Sequence, residues 1–378
     1  MTGGAPHFRP AWSEVDLGAV RANARVLAET AAPAALLAVV KADGYGCGAV
    51  PVARAALDAG ATWLGVALVE EGAALRAAGI DAPVLVLSEP PPEAAGAVVS
   101  AALTPVVYTE LGIEALAKAV AELSPDAALP VHLKVDTGMH RVGCSPEAVA
   151  TLVDAIDGRP ELVLDGICTH FAVADEPDRS ESNEQLDQFR QVLHDVDATR
   201  GRPRLIHAAN SAALLAVPDA CFDLVRVGIA LYGVAPAPSL ADRVSLTPVL
   251  SLRAQVTYVK TLPAGTRVSY GLRYELTRRS RIVTVPVGYA DGVPRNLGLR
   301  GGEVLIGGCR HPIAGTVTMD QLMVDVGDAA VEVGDEVVLL GRQGDDEVTA
   351  EEWAERLDTI AYEIVTGIGP RVPRRYVG

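Results

Sequence analysis

Eight short apolar runs recur through the first two thirds of this 378-residue chain, and helical patterns separate them. The runs cover residues 36–40, 63–68, 83–87, 105–108, 131–135, 163–169, 205–208 and 224–227. Strands that are apolar throughout, with helices between them, are what a parallel sheet covered on both faces requires. The helical stretches have recognisable ends. Residues 50–59 stop at Gly60, residues 70–78 stop at Gly79, and Ser145-Pro146 opens another, with proline where the amide lacks a helical partner anyway. Eight such units fit a (β/α)8 TIM barrel, which takes roughly 250 residues. An open doubly wound sheet is the alternative. No GxxxxGK or GxGxxG opens a strand–helix unit, which weakens a nucleotide-binding version of that sheet.

Beyond about the first 240 residues the period changes to two. Residues 250–258 and 281–286 alternate, and 304–306, 322–326 and 337–340 are short strands between glycine turns. One helix interrupts them over 351–357, with Thr349 as cap and Glu352 completing a capping box. The fold class expected is therefore α/β, a (β/α)8 TIM barrel followed by a mainly β C-terminal domain. Pro236, Pro238 and Ser239 mark the link. The division expected is 1–17 as an N-terminal strand joining the C-terminal β domain, 18–238 as the barrel and 239–378 as the β domain.

Composition narrows the function classes. Hydrophobic residues make up 49% and charged residues 21%, enough apolar content for a large core. A net charge of −16 argues against nucleic acid, whose phosphates need a positive surface. The five cysteines, Cys47, Cys144, Cys168, Cys221 and Cys309, are scattered with no CxxC pair or metal-ligand spacing, so no metal is expected and a reducing compartment is. Residues 1–7 lack a basic stretch followed by an apolar one, and no apolar run is long enough to span a bilayer. A cytoplasmic protein without membrane contact is the expectation.

In a barrel the chemistry gathers where strands end and loops begin. Strand one ends in Ala38-Val-Val-Lys-Ala-Asp-Gly-Tyr-Gly, which offers Lys41 and Tyr45. A lysine at the end of a buried strand either snorkels to water or is an amine placed to bond a carbonyl. The chain has few lysines to choose among: Lys41, Lys118, Lys134 and Lys260. Strand five adds Lys134 and Asp136, with Arg141 after them; strand six adds His170; strand seven Asn210 and Ser211; strand eight Arg226, Gly228 and Ile229. These types suit pyridoxal 5'-phosphate, which needs an amine, a phosphate cradle and a group at its ring nitrogen. Ser211, Tyr45 and the Gly228 and Ile229 amides could hold phosphate, and Arg226 could be either a ring neighbour or a phosphate ligand. Other readings stand beside these. Ser211 also reads as the cap of a helix over 212–217, His170 as a satisfied rim histidine, and Lys134 and Asp136 as an ion pair.

The chain resembles the alanine racemase family of barrel-fold pyridoxal-phosphate enzymes. The matching segments are Trp12-Ser-Glu-Val-Asp-Leu, Val40-Lys-Ala-Asp-Gly-Tyr-Gly, Val135-Asp-Thr-Gly-Met-His-Arg-Val-Gly, Thr169-His-Phe-Ala, Asn210-Ser-Ala and Arg226-Val-Gly-Ile-Ala-Leu-Tyr-Gly. They continue through Val268-Ser-Tyr-Gly, Val287-Gly-Tyr-Ala-Asp-Gly, Gly315-Thr-Val-Thr-Met-Asp-Gln, Ala361-Tyr-Glu-Ile-Val-Thr and Gly369-Pro-Arg-Val-Pro-Arg. The resemblance implies a homodimer with shared active sites, in which the β domain contributes to the partner's active site. It implies Lys41 as cofactor anchor and one catalytic base, and Tyr270 as the opposing base. Arg141 is implied at the substrate carboxylate, His170 behind the tyrosine and Arg226 at the pyridine nitrogen. Tyr45, Asn210, Ser211, Gly228, Ile229 and Tyr362 fall on the cofactor side, and Tyr289, Met319 and Asp320 on the substrate side. Lys134 matches a position that carries a carbamylated lysine in some members.

The activity implied is interconversion of L- and D-alanine, supplying D-alanine for peptidoglycan. The competing readings are a racemase of serine or several amino acids, a barrel-fold amino acid decarboxylase and a non-catalytic pyridoxal-phosphate-binding protein. Arg226 argues against the decarboxylase, whose chemistry is better served by an acid at the ring nitrogen.

Overall fold

The structure, a computed structural model, describes residues 8–176 and 179–378. Residues 1–7, read above for a leader pattern, lie outside the described residues. Contacts divide the chain into two compact units. One comprises Val20–Gly44 and Gly48–Thr247; the other comprises residues 8–19, Tyr45–Cys47 and Pro248–Gly378.

The chain begins with β1 (Ala11–Asp16) and then supplies eight barrel strands: β2 (Ala35–Val39), β3 (Ala61–Val66), β4 (Val84–Val86), β5 (Thr104–Val107), β6 (Leu129–Lys134), β7 (Leu162–Cys168), β8 (Leu205–His207) and β9 (Leu224–Val227). All neighbours are parallel, in the order β8-β7-β6-β5-β4-β3-β2-β9. The last seam is closed by single bonds: Asp223 N donates to Ile206 O (3.0 Å) and Arg226 N to Ala209 O (3.0 Å). The Asp223 carboxylate accepts from Ile206 N at 2.7 Å, so a side chain takes over where the ladder stops. Helices pack outside. The helix Glu110–Leu123 is capped by Thr109, whose Oγ1 accepts from Gly112 N at 3.0 Å. This unit runs on to Thr247, beyond the Pro236, Pro238 and Ser239 link. The reason is Asn23, whose amide donates to Thr247 O and accepts from Thr247 N, both at 2.8 Å.

The second unit is built from β10 (Leu250–Gln255), β11 (Tyr258–Leu262), β12 (Arg267–Val268), β13 (Tyr274–Glu275), β14 (Ser280–Val285), β15 (Glu303–Ile306), β16 (Cys309–Pro312), β17 (Leu322–Gly327), β18 (Glu336–Gln343), β19 (Asp346–Val348) and β20 (Arg374–Val377). β1 lies in its main sheet, antiparallel to β10 and parallel to β20. The alternating stretch 250–258 is not one strand. It breaks after Gln255: β10 stays in the main sheet, whereas β11 joins β14 and β17 in another. The hand-over is made by the backbone, because Val256 N bonds Asp335 O while Thr257 N bonds Thr284 O.

The expected capping box is half made. Thr349 Oγ1 accepts from Glu352 N (3.1 Å), but the Glu352 carboxylate turns to Arg310 and Arg356 (2.9 and 3.0 Å). Charged donors outcompete a neutral backbone amide for a carboxylate.

Candidate active site

Lys41 follows directly on β2, and its placement comes from an unusual turn. Val40 N still bonds Gly65 O at 2.8 Å, after which Ala42, Asp43, Gly44 and Tyr45 all adopt left-handed backbone angles, with φ of 53, 51, 60 and 52°. For the non-glycine residues this costs on the order of 1–3 kcal/mol each, so neighbouring contacts must hold it. Gly44 N bonds Val40 O (2.9 Å), Gly48 N bonds Asp43 O (2.8 Å), and Asp43 Oδ1 accepts from Ala49 N (2.9 Å). Glu71 closes the turn from the next strand–helix unit. One oxygen accepts from Ala42 N at 2.6 Å, and the other from Ala67 N and Leu68 N at 2.8 and 3.1 Å. Sequence reasoning missed Glu71, since nothing local distinguishes it from Glu70 beside it.

Arg226, on β9, is buried and anchored on several sides. One terminal nitrogen donates to Thr169 O and Ala208 O (both 2.9 Å) and, more distantly, to His170 Nδ1 (3.2 Å); the other donates to His207 Nδ1 (2.8 Å). The partners follow the ends of β7 and β8. His207 was also missed, although a histidine closing an otherwise apolar Leu-Ile-His strand was a usable signal. His170 is further held through its carbonyl, which accepts from Gln185 Nε2 at 3.1 Å.

The electrostatics of this mouth are strongly positive. Burial, then the Arg141 cation, lowers the Lys41 pKa, with Glu71 opposing. Burial lowers Lys134, helped by Arg226 and Arg141. Burial, followed by Arg226, Lys134, Arg141 and Lys41, drives His170 well below its ordinary value, so its ring is neutral at pH 7. The Lys134–Asp136 ion pair, the alternative reading of these two residues, does not form among the described residues. Asp136 instead accepts from the Gly138 and His140 amides (3.0 and 2.9 Å) and faces the His140 ring, because the glycine turn after β6 curls back over it.

Ser211 is not a helix cap. The helix Ser211–Ala216 is capped by Asn210, whose side chain accepts from Ala213 N at 2.9 Å. That leaves the buried Ser211 hydroxyl to accept from Gly228 N (2.9 Å) and Ala230 N (3.5 Å), and its own proton to donate elsewhere. Ile229 follows Gly228 in the same buried turn, Ile229–Tyr232.

The remaining candidates lie on the β unit. Tyr270 opens the short turn Tyr270–Leu272 and is 69% exposed. Its carbonyl accepts from Thr316 Oγ1 at 3.0 Å. Tyr289 and Met319 are joined through backbone: Tyr289 N bonds Thr318 O (2.9 Å) and Ala290 N bonds Met319 O (3.0 Å). Asp320 pairs with Arg371 at 2.7 Å. Tyr45 and Tyr362 have ring centroids 6.3 Å apart, and burial pushes the Tyr45 hydroxyl up to about 12. Gly288 makes the Tyr289–Met319 arrangement possible. A Cβ there would lie 2.3 Å from Thr318 O and 2.4 Å from Met319 O. Gly288→Ala is expected to push the two segments apart, destabilising by about 1–3 kcal/mol as overpacking does. It is also expected to raise the substrate KM more than it lowers kcat. Thermal unfolding and steady-state kinetics on one preparation check both.

Chemically, the barrel mouth offers an amine of lowered pKa, several cations, a serine hydroxyl against a glycine amide, and a buried guanidinium whose remaining N–H groups are donors. That donor set fits pyridoxal phosphate: its phosphate suits the Ser211–Gly228 turn, its aldehyde suits Lys41 and its ring nitrogen can accept from Arg226. Among the described residues no group of three or more His, Cys, Asp or Glu side chains is arranged to hold a metal ion. No helix of the described chain is long and apolar enough to cross a membrane.

The comparisons with known proteins agree along the length of the chain. Residues 15–236 match the alanine racemase N-terminal domain and residues 249–376 the alanine racemase C-terminal domain. An alanine racemase of Symbiobacterium thermophilum is 51% identical over 373 residues, covering 98% of both chains. The crystal structure of alanine racemase from D-cycloserine-producing Streptomyces lavendulae superposes with a TM-score of 0.93 at 42% identity, over 99% of this chain and 98% of that one. A histidine racemase from Leuconostoc mesenteroides superposes with a TM-score of 0.90 at 31% identity, over 99% of this chain and 100% of that one. With both domains matched and half of all positions shared with a relative of equal extent, the chain belongs to the alanine racemase family.

Proposed function

We propose that this protein is a pyridoxal-phosphate-dependent enzyme that interconverts L- and D-alanine by two-base proton transfer, supplying D-alanine for peptidoglycan. The observation that carries this reading is that Lys41, Arg141 and Arg226 all act on the same buried His170, with Arg141 also lowering the Lys41 pKa. When bound, pyridoxal phosphate would withdraw electrons from the substrate Cα and make its proton removable.

The chain's residues do the rest. Lys41 holds the cofactor and takes or returns the proton on the D face; its lowered pKa raises the fraction of neutral amine available as base. Tyr270 of the partner subunit moves the proton on the L face, so the substrate need not turn over. Arg141 and the Met319 amide orient the substrate carboxylate, with Asp320 beside them, and Tyr289 narrows the way in. His170 supports the tyrosine. Tyr45, Asn210, Ser211, Gly228, Ile229 and Tyr362 secure the phosphate side. A carbamylated Lys134 would give Arg141 an anionic partner in a cluster otherwise dominated by cations. Two subunits complete each site, and the protein works in the cytoplasm as a homodimer.

Arg226 offers the ring nitrogen a hydrogen bond without giving up its proton. Arg226→Glu is expected to lower racemisation and raise amino-group transfer relative to it. It also removes four hydrogen bonds and places a carboxylate against Thr169 O and Ala208 O, so the melting temperature falls as well. An unchanged ratio of the two reactions would refute the assigned role.

The reaction itself is tested with L-alanine, pyridoxal phosphate and deuterated water. D-alanine carrying one solvent deuteron, with equal final amounts of both enantiomers, supports the proposal; loss of carbon dioxide, or no change to alanine, rejects it. A second reading, a racemase of another amino acid, is favoured by the likeness to the histidine racemase. Competition between alanine, serine and histidine decides it, since one methylene is worth only about 1–3 kcal/mol of discrimination.

A further inference from the structure

Behind Arg226 a line of buried polar groups crosses the barrel from β9 through β8 and β6 to β7. Arg226 donates to His207 Nδ1 at 2.8 Å. A guanidinium has no acceptor, so that ring nitrogen carries a lone pair. Burial, followed by Arg226 and His132, keeps His207 neutral, which puts its proton on Nε2. His207 Nε2 stands 2.8 Å from His132 Nδ1. His132 must therefore accept at Nδ1, and, being buried and neutral as well, carry its proton on Nε2. That nitrogen has no hydrogen-bond partner within ordinary reach and faces Asp165 Oδ2 at 3.7 Å. Asp165 in turn accepts both Arg204 Nε and Nη2, at 2.7 and 2.6 Å. Burial raises the Asp165 carboxyl, but His132 and Arg204 outweigh it and hold it well below the usual range, so it is an anion at neutral pH.

The two ends of this line are fixed in opposite senses. Arg226 can only donate and ionised Asp165 can only accept. Two neutral imidazoles between them have one pair of tautomers that suits both ends, making the two hydrogen bonds at His207 and turning the His132 Nε2 proton toward the Asp165 anion across a 3.7 Å gap. The space is tailored to it: a Cβ on Gly166 would lie 2.8 Å from the His132 ring, so only glycine on β7 leaves the ring its place. The Trp63 ring packs 5.8 Å away and keeps that side apolar.

We propose that Asp165 is a positioning residue for Arg226, acting through the tautomers of His132 and His207. The anion at one end of the barrel wall sets the lone pair at the other that holds the guanidinium. The catalytic consequence rests on the proposed placement of Arg226 at the cofactor ring; the relay itself does not.

The test is the ¹⁵N spectrum of ring-labelled protein, recorded with pyridoxal phosphate bound and no substrate. In the wild type both His132 and His207 are expected as the neutral form protonated at Nε2. In Asp165→Asn the amide presents a donor to His132. Both rings are then expected to exchange their protonated and unprotonated resonances, leaving two donors opposed at Arg226. Racemisation kcat should fall about tenfold or more, the scale of one charge-assisted hydrogen bond lost, with KM and cofactor affinity retained. Asp165→Glu, which keeps the anion, should restore the wild-type tautomers. A wild-type ring protonated at Nδ1 or doubly protonated overturns the proposal, as does an Asp165→Asn protein with unchanged tautomers. The wild-type spectrum decides the first point even if the asparagine variant fails to fold. Because no turnover is needed, a protein inactive on alanine can still pass or fail.

Discussion

Tyr270→Phe is expected to abolish exchange of the Cα proton of L-alanine with solvent while sparing much of the exchange from D-alanine. The loss on the L side should be about 10²–10⁴-fold, the usual contribution of a positioned general base. The local structure makes this a clean substitution. The ring is 69% exposed, and its turn is held by backbone and by Thr316, not by the phenol. Removing the hydroxyl should therefore leave the fold and melting temperature unchanged, and any lost exchange reports on chemistry. Equal losses from both enantiomers would contradict the assignment of the tyrosine to one face.

Lys41→Ala is expected to remove activity in both directions, together with borohydride trapping of the cofactor on the chain. The turn that presents Lys41 is held by Glu71, Asp43 and the Gly44–Val40 backbone bond, none of which uses the lysine side chain. The variant should fold normally and still bind pyridoxal phosphate, only without a covalent link. Trapping that persists at another residue would move the anchor elsewhere.

The two variants together test the shared site. Lys41 belongs to the barrel unit and Tyr270 to the β unit. If each site takes Tyr270 from the partner subunit, a mixed dimer has one site with both residues intact and one with neither. Random exchange of the two inactive proteins should then recover about a quarter of wild-type activity, as expected for a two-fold symmetric pair. No recovery despite demonstrated subunit exchange would place each site within one chain.

Much of this molecule is legible in its sequence. The apolar runs over 36–40 and 224–227 read as barrel strands because a strand covered on both faces has no solvent side to interrupt it, and both are strands. Lys41 stood out because a buried strand rarely ends in an ammonium without a use for it. The sequence was ambiguous where neighbouring residues compete for one backbone group. Asn210 and Ser211 both qualify as a cap, and only the approach of the Gly228 amide from the next strand decides which hydroxyl or amide is free. The break of 250–258 into two sheets depended in the same way on Asp335 and Thr284, remote in the chain.

Local pattern thus determined the barrel, the mainly β unit after it and the strand ends where chemistry gathers, since periodicity and turn chemistry act over a few residues. Tertiary structure alone decided the partners of the buried charges. Glu71 at the Lys41 turn, and Asp165, His132 and His207 behind Arg226, are far apart in sequence and share no motif. They come together because β6, β7, β8 and β9 turn His132, Asp165, His207 and Arg226 into one buried part of the barrel, where polar groups must find protein partners, while the helix after β3 brings Glu71 to the turn after β2.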